Sequence, residues 1–223
     1  MRVLSHEINN SLTPIKSIAH SLRRIVDRAT AFERSPEVSQ GLSLIEERPG
    51  ALGRFLRAYA QLARLPKLQP KSLDVTVLMT RIVELEKRLS VRVSSSPDIQ
   101  LIADSDQLEQ ALINIVRNAV DASLETNGEV TVSWRSVGDW AEITIDDEGK
   151  GLPDTANLFV PFFTTKPNGS GIGLALSRQI AEAHGGTITL ENRTGTVGCR
   201  ASLRLPMGAL SAFSALSQSH RPR

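Results

Sequence analysis

The chain has 223 residues, a formal net charge of +2, 40% hydrophobic and 22% charged residues, an ordinary folded composition with room for one or two cores. That balance argues against disorder throughout, and basic residues dispersed in short pairs such as Arg23-Arg24 argue against nucleic-acid binding. The single cysteine, Cys199, cannot close an intramolecular disulfide, no apolar run reaches membrane-span length, and the first residues lack a signal-peptide pattern. A cytoplasmic location with no membrane contact in this stretch is expected, either alone or as the cytoplasmic end of a longer membrane-anchored protein.

From Leu4 the apolar residues Leu4, Ile8, Leu12, Ile15, Ala19, Leu22 and Val26 recur at steps of three and four, which predicts an amphipathic helix. A second helical pattern runs from Leu42 to Leu62, interrupted by Pro49-Gly50, where a kink or break is expected. The polar stretch around Pro36 joins them into an α-helical hairpin over residues 1–66, and two such hairpins would bury their stripes as a dimeric four-helix bundle. "RLPKLQPKS" then reads as a linker.

After it the pattern changes to short strands and helices, an α/β two-layer sandwich over residues 67–207. A strand at 72–75 precedes a helix near 78–89, and "VRVSS" and "IQLIA" read as strands. A long helix capped by Asp104 or Ser105 runs to about Ser123. Alternation on both sides of Gly138-Asp139 predicts a β-hairpin. A helix over "GIGLALSRQIAEAHGG" and the strands "TITLEN" and "RASLRLP" follow, and 208–223 reads as a frayed tail. His184 stands before Gly185 at a helix end, where a capping role is expected.

Three stretches carry chemistry. On the long helix Asn114, Asn118 and Asp121 fall at i, i+4 and i+7, a stripe of oxygen-bearing side chains suited to a hard cation shared with phosphates; a solvated helix face is an equal reading. Asp147-Glu148-Gly149-Lys150-Gly151 puts a carboxylate at a strand end, where it can accept from an amine while glycines let the backbone pass close to a flat ligand. In "TTKPNGSGIGLAL", Gly169, Gly171 and Gly173 open a helix whose N-terminus favours phosphate. Neither the dinucleotide fingerprint nor the Walker loop fits this spacing.

In this order, with the intervening "LFVPFFTTK", these stretches resemble the N, G1, F and G2 boxes of the histidine kinase ATP-binding domain, of the gyrase, chaperone and mismatch-repair (GHKL, Bergerat) ATPase group. The resemblance implies ATP and Mg²⁺ as cofactors, with Asn118 and Asn114 holding the metal and Asp147 reading the adenine amino group. Gly149 and Gly151 would line the base pocket, Thr165 and Lys166 would belong to a lid, and Gly169, Gly171 and Gly173 would cradle the phosphates. Asp121 and Leu174 complete the nucleotide contacts it implies.

The opening "HEINNSLTPI" places His6 about 200° from both Leu4 and Ile8 around the helix, opposite the apolar stripe, with Asn10 one turn on. Alone, an exposed histidine without function is the ordinary reading. Ahead of an ATP domain, it resembles the phosphoacceptor of two-component sensor histidine kinases, the NtrB/NtrY-like nitrogen-regulation subgroup in particular. That implies phosphorylation of His6 with Glu7 as general base, transfer to an aspartate of a response regulator receiver domain, and a phosphatase role for Asn10. A phosphatase-dominant or nucleotide-gated module with weak kinase activity is the alternative. Ser11 replaces a family proline and Glu148 replaces a family asparagine, which would add a charge near the nucleotide. The start five residues before His6 implies a kinase core separated from its sensor.

Overall fold

The computed structural model describes residues 17, 18, 21, 62, 65–94, 97–152, 157–164, 166 and 169–208. The hairpin expected over residues 1–66, with His6, Glu7, Asn10, Ser11 and Pro49, lies outside the described residues apart from helical positions 17, 18, 21 and 62 and the irregular 65 and 66.

Ten elements build the α/β domain: β1 (Lys71–Asp74), α1 (Val75–Leu85), β2 (Val91–Val93), β3 (Gln100–Ala103), α2 (Ser105–Leu124), β4 (Val130–Val137), β5 (Trp140–Asp147), α3 (Gly173–Ala183), β6 (Thr187–Asn192) and β7 (Cys199–Pro206). β1 pairs antiparallel with β3, and a five-stranded sheet runs β2-β4-β5-β7-β6, antiparallel except for the parallel β2–β4 pair.

Alternation makes one face of this sheet the core. Val130, Val132 and Trp134 of β4, Ala141, Ile143 and Ile145 of β5, and Ala201, Leu203 and Leu205 of β7 are all buried. The register pairs Val132 with Ile145, and Ile143 with Leu203, so the apolar rows stack across strands. Against them α2 buries Leu108, Ala111, Leu112, Ile115, Val116 and Ala119, and α3 buries Leu176 and Ile180. Each fully buried Ile or Leu here contributes about 1.5–3 kcal/mol relative to exposure.

The ends of α2 and α3 are locked together. Asp104 caps α2 by accepting from the Gln107 amide at 3.1 Å, and its other oxygen accepts from the Gln69 amide at 2.9 Å. His184 is the C-cap of α3; its Nδ1 bonds the Ile180 carbonyl at 2.8 Å, so Nε2 is the acceptor for the Asp104 amide at 3.1 Å. At 2% exposure, desolvation outweighs these contacts and pushes the imidazole's pKa down, keeping it neutral. Capping alone understates this residue, which bridges 80 positions of sequence.

Several boundaries differ from the sequence expectation; α3 stops at Ala183 rather than Gly186, where His184 takes the C-cap, and β2 stops at Val93. α1 spans 75–85 rather than 78–89, because Asp74 accepts from the Val77 amide and starts the helix early, while the Glu86 carboxylate turns the chain out by accepting from the Arg88 amide. The first strand correspondingly ends at Asp74.

Candidate functional site

Three parts of the fold converge on one cleft: the middle of α2, the end of β5 with its turn, and the loop that feeds α3. A small cavity of about 110 Å³, lined by Asn118, Ala122, Ile145, Asp147, Gly151 and Leu174, forms one end. A wider one of about 320 Å³, lined by Asn114, Asn118, Asp121, Lys166, Gly169 and Gly171, forms the other. Asn118 and Leu174 border both, so the two adjoin. An open groove of about 460 Å³ between α1 and α2 adjoins the wide end through Arg117 and Asp121.

The small end is fixed by main chain. Asp147, 6% exposed at the C-terminal end of β5, accepts at Oδ1 from the amides of Gly149 at 2.9 Å and Cys199 at 3.0 Å. Its carbonyl accepts from Arg193 Nη1 at 2.9 Å. Among the described residues no donor reaches Oδ2, which remains for a donor in the cavity. Burial raises the Asp147 pKa above its ordinary value; the two amides and the charge of Arg193 oppose that without cancelling it.

Glycines permit this turn by close approach. A Cβ at Gly198, where φ is +120°, would lie 1.9 Å from the Asp147 carbonyl oxygen. A Cβ at Gly149 would lie 2.6 Å from Ala122 Cβ of α2, so its immediate role is to let the turn pack on the helix, and it is not among the residues lining the small cavity. Gly151 does line it, and the Asn192 carboxamide accepts from the Leu152 amide beside it at 2.7 Å.

Glu148 corrects an expectation. Its carboxylate accepts from the Glu129 amide at 3.0 Å, and its own amide donates to the Ser123 hydroxyl and the Glu129 carbonyl. The side chain is consumed in tying the turn to the start of β4 and lines neither cavity of the cleft, so the charge it brings does not face the cleft.

The wide end is held by side chains instead. Lys166 Nζ donates to Asn118 Oδ1 at 3.1 Å and to Asp121 Oδ2 at 2.5 Å. Asp121 Oδ1 accepts from Arg88 Nη1 at 2.6 Å, and Arg88 is itself clamped by Glu86 at 2.7 Å. Desolvation would raise the Asp121 carboxyl, but the bonds from Lys166 and Arg88 outweigh it and hold its pKa below the usual range. Asn114 Nδ2 makes a long bond of 3.5 Å to the Gly173 carbonyl, which turns its oxygen end away from that contact.

The loop into α3 is stitched through positive-φ residues. The Phe162 amide donates to the Gly171 carbonyl at 2.8 Å, with φ of +69° at Phe162 and +66° at Gly171, where a Cβ would meet Phe162 main chain at 2.5 Å. α3 begins without a side-chain cap, so its first amides face the cleft beside Gly173 and Leu174. Thr165 lies outside the described residues.

The sequence-predicted stripe of Asn114, Asn118 and Asp121 is thus brought together with Lys166 and the glycine loop, and Asp147 and Gly151 line the adjoining end. Arg88, Arg193 and Asn192 carry no sequence signal for this site; each reaches it through a turn whose direction only the fold sets. Among the described residues no three His, Cys, Asp or Glu side chains gather as a metal cluster. The oxygens of Asn118 and Asp121 already attract an ammonium group, so the donor set fits a hard cation.

Residues 103–209 match the family described as histidine kinase-, DNA gyrase B-, and HSP90-like ATPase. The sensor histidine kinase ZraS of Escherichia coli O157:H7 is 31% identical over 215 residues, covering 92% of this chain and 45% of that one. Nitrogen regulation protein NtrY of Azorhizobium caulinodans is 33% identical over 205 residues, covering 86% and 26% respectively. The chain therefore spans less than half the length of these curated relatives. Among solved structures, the fold resembles histidine kinase ThkA crystallised with the response regulator TrrA, at TM-score 0.65 and 21% identity over 93% of this chain and 61% of that one. Among the described residues no helix is long and apolar enough to cross a membrane.

Proposed function

We propose, on the premise that this chain belongs to the two-component sensor histidine kinase family, that it binds Mg-ATP in the cleft and phosphorylates its own His6. The observation that carries the nucleotide reading is Asp147, a buried carboxylate with one oxygen saturated by amides and the other turned to a cavity, which suits the exocyclic amine of adenine. The base would enter the small end against Ile145 and Leu174. The phosphates would extend along Asn114 and Asn118 to Lys166, Gly169, Gly171 and Gly173 and the uncapped amides of α3. Asn118 and Asn114 would hold Mg²⁺, which supplies charge neutralisation to the phosphates.

In the transfer, a ring nitrogen of His6 forms a bond to the γ-phosphorus as the bond to the β-bridging oxygen breaks, and ADP departs with that electron pair. Glu7 would take up the proton on the other ring nitrogen, keeping the attacking nitrogen free. The phosphoryl group would then pass to an aspartate of a receiver domain; ThkA has been crystallised with such a regulator. Asn10 would orient water against the phosphorylated regulator, and the hairpin over 1–66 would form the homodimer contact.

Incubation of the chain with γ-labelled ATP and Mg²⁺ is expected to give an acid-labile phosphoprotein that is absent in His6→Ala. Label retained in His6→Ala would move the acceptor elsewhere, and no label in either protein would end the kinase reading.

A further inference from the structure

Asp121 lies between two cations of different standing. Arg88 is fixed to the turn after α1 by Glu86, so its bond to Asp121 Oδ1 belongs to the scaffold. Lys166 sits on the loop before α3 with its side chain 41% exposed, and its ammonium rests on Asp121 Oδ2 and Asn118 Oδ1 together. Asn118 is one of the residues proposed above for the metal. An ammonium hydrogen-bonded to its carboxamide oxygen occupies the lone pairs and the volume that a hard cation would need, and the two positive charges repel at that separation.

We propose that Lys166 is an internal counter-cation that sets the metal affinity of this site: it and a divalent cation compete for the oxygens of Asn118 and Asp121. The inference rests on the Mg-ATP reading of the cleft. Its consequence is coupling. Phosphates arriving beside the glycine loop offer the ammonium a stronger anion than a carboxamide, drawing it off Asn118 as they bring negative charge to the metal. Metal capture is then weak without nucleotide and strong with it. Lys166 acts here as a positioning residue, through its hold on Asn118 and Asp121.

The test is titration of the full chain with Mn²⁺ and no nucleotide added, followed by electron paramagnetic resonance of the free ion. Lys166→Met, which keeps the aliphatic stem, is expected to bind Mn²⁺ roughly tenfold more tightly than the parent, as removal of an adjacent like charge at a half-solvated site predicts. Lys166→Arg should stay near the parent, and adding Asp121→Asn to Lys166→Met should erase the gain. Equal or weaker Mn²⁺ binding by Lys166→Met overturns the proposal. Binding of a fluorescent ATP analogue by the parent is followed separately; its failure would remove the nucleotide reading, while the Mn²⁺ comparison would still decide the competition.

Discussion

The two ends of the cleft are built by opposite means. At the Asp147 end the polar atoms are bonded to main chain that the sheet itself holds in place, the carboxylate is buried, and glycines set the spacing. At the Asp121 end the contacts run between long side chains, Arg88 and Lys166, that are 46% and 41% exposed. The first arrangement is preorganised and rigid; the second is held by contacts that phosphates and ions can replace. On the Mg-ATP reading proposed above, a site that would hold one base and then let a phosphoryl group move has use for both.

The largest expected effect comes from breaking the rigid end. Gly198→Ala places a Cβ against the Asp147 carbonyl in a left-handed conformation, and should lower folding stability by about 3 kcal/mol or more. Urea denaturation of residues 64–223, which form a compact unit of their own, would register it. A loss under about 1 kcal/mol would mean that this end yields as readily as the other.

Asp147→Asn sharpens the contrast by sparing the fold. Asn keeps an acceptor for the Gly149 and Cys199 amides but presents a donor where the carboxylate presented Oδ2. ATP-analogue binding should weaken by about 10- to 100-fold, the range for losing a hydrogen bond to a charged group, with stability changed by about 1 kcal/mol or less. Calorimetry showing unchanged affinity would remove Asp147 from base recognition.

The smallest effect is a pH difference between the ends. Burial raises the Asp147 carboxyl above 3.8, so on acidification it protonates before Asp121, whose pKa is lowered. Affinity for adenosine, which engages only the base end, should therefore fall as pH drops from neutrality toward the raised pKa, and Asp147→Asn should flatten the profile. For folding the sign is opposite. A raised native pKa stabilises the fold relative to the ionised state only at low pH, and that contribution is lost as pH rises through it. A flat parent profile for adenosine would break the assignment.

Much of the sandwich was legible because it rests on local signals. Gly138-Asp139 between alternating strands marks the β4–β5 hairpin, and Asp104-Ser105 before an apolar period marks the start of α2, with Asp104 the cap of the two. The helical spacing of Asn114, Asn118 and Asp121 likewise needs no tertiary knowledge. What escaped depends on contacts between distant segments. Glu148 reads as a charge beside the ligand, yet its carboxylate is bonded to Glu129. The packing of Gly149 on Ala122 of α2 likewise has no local signal. Arg88 reaches Asp121 across 33 positions, with nothing in either neighbourhood to announce it.

Cys199 gives the rigid end a clock. It is the one thiol of the chain, it lines the small cavity at 7% exposure, and burial, with the nearby Asp147 charge, pushes its pKa up to about 12. Such a thiol is almost wholly protonated at neutral pH and slow to react while the small cavity stays packed around it. Its alkylation rate therefore measures how often the small end of the cleft opens to a reagent, a local breathing frequency read at a single sulfur without any added label.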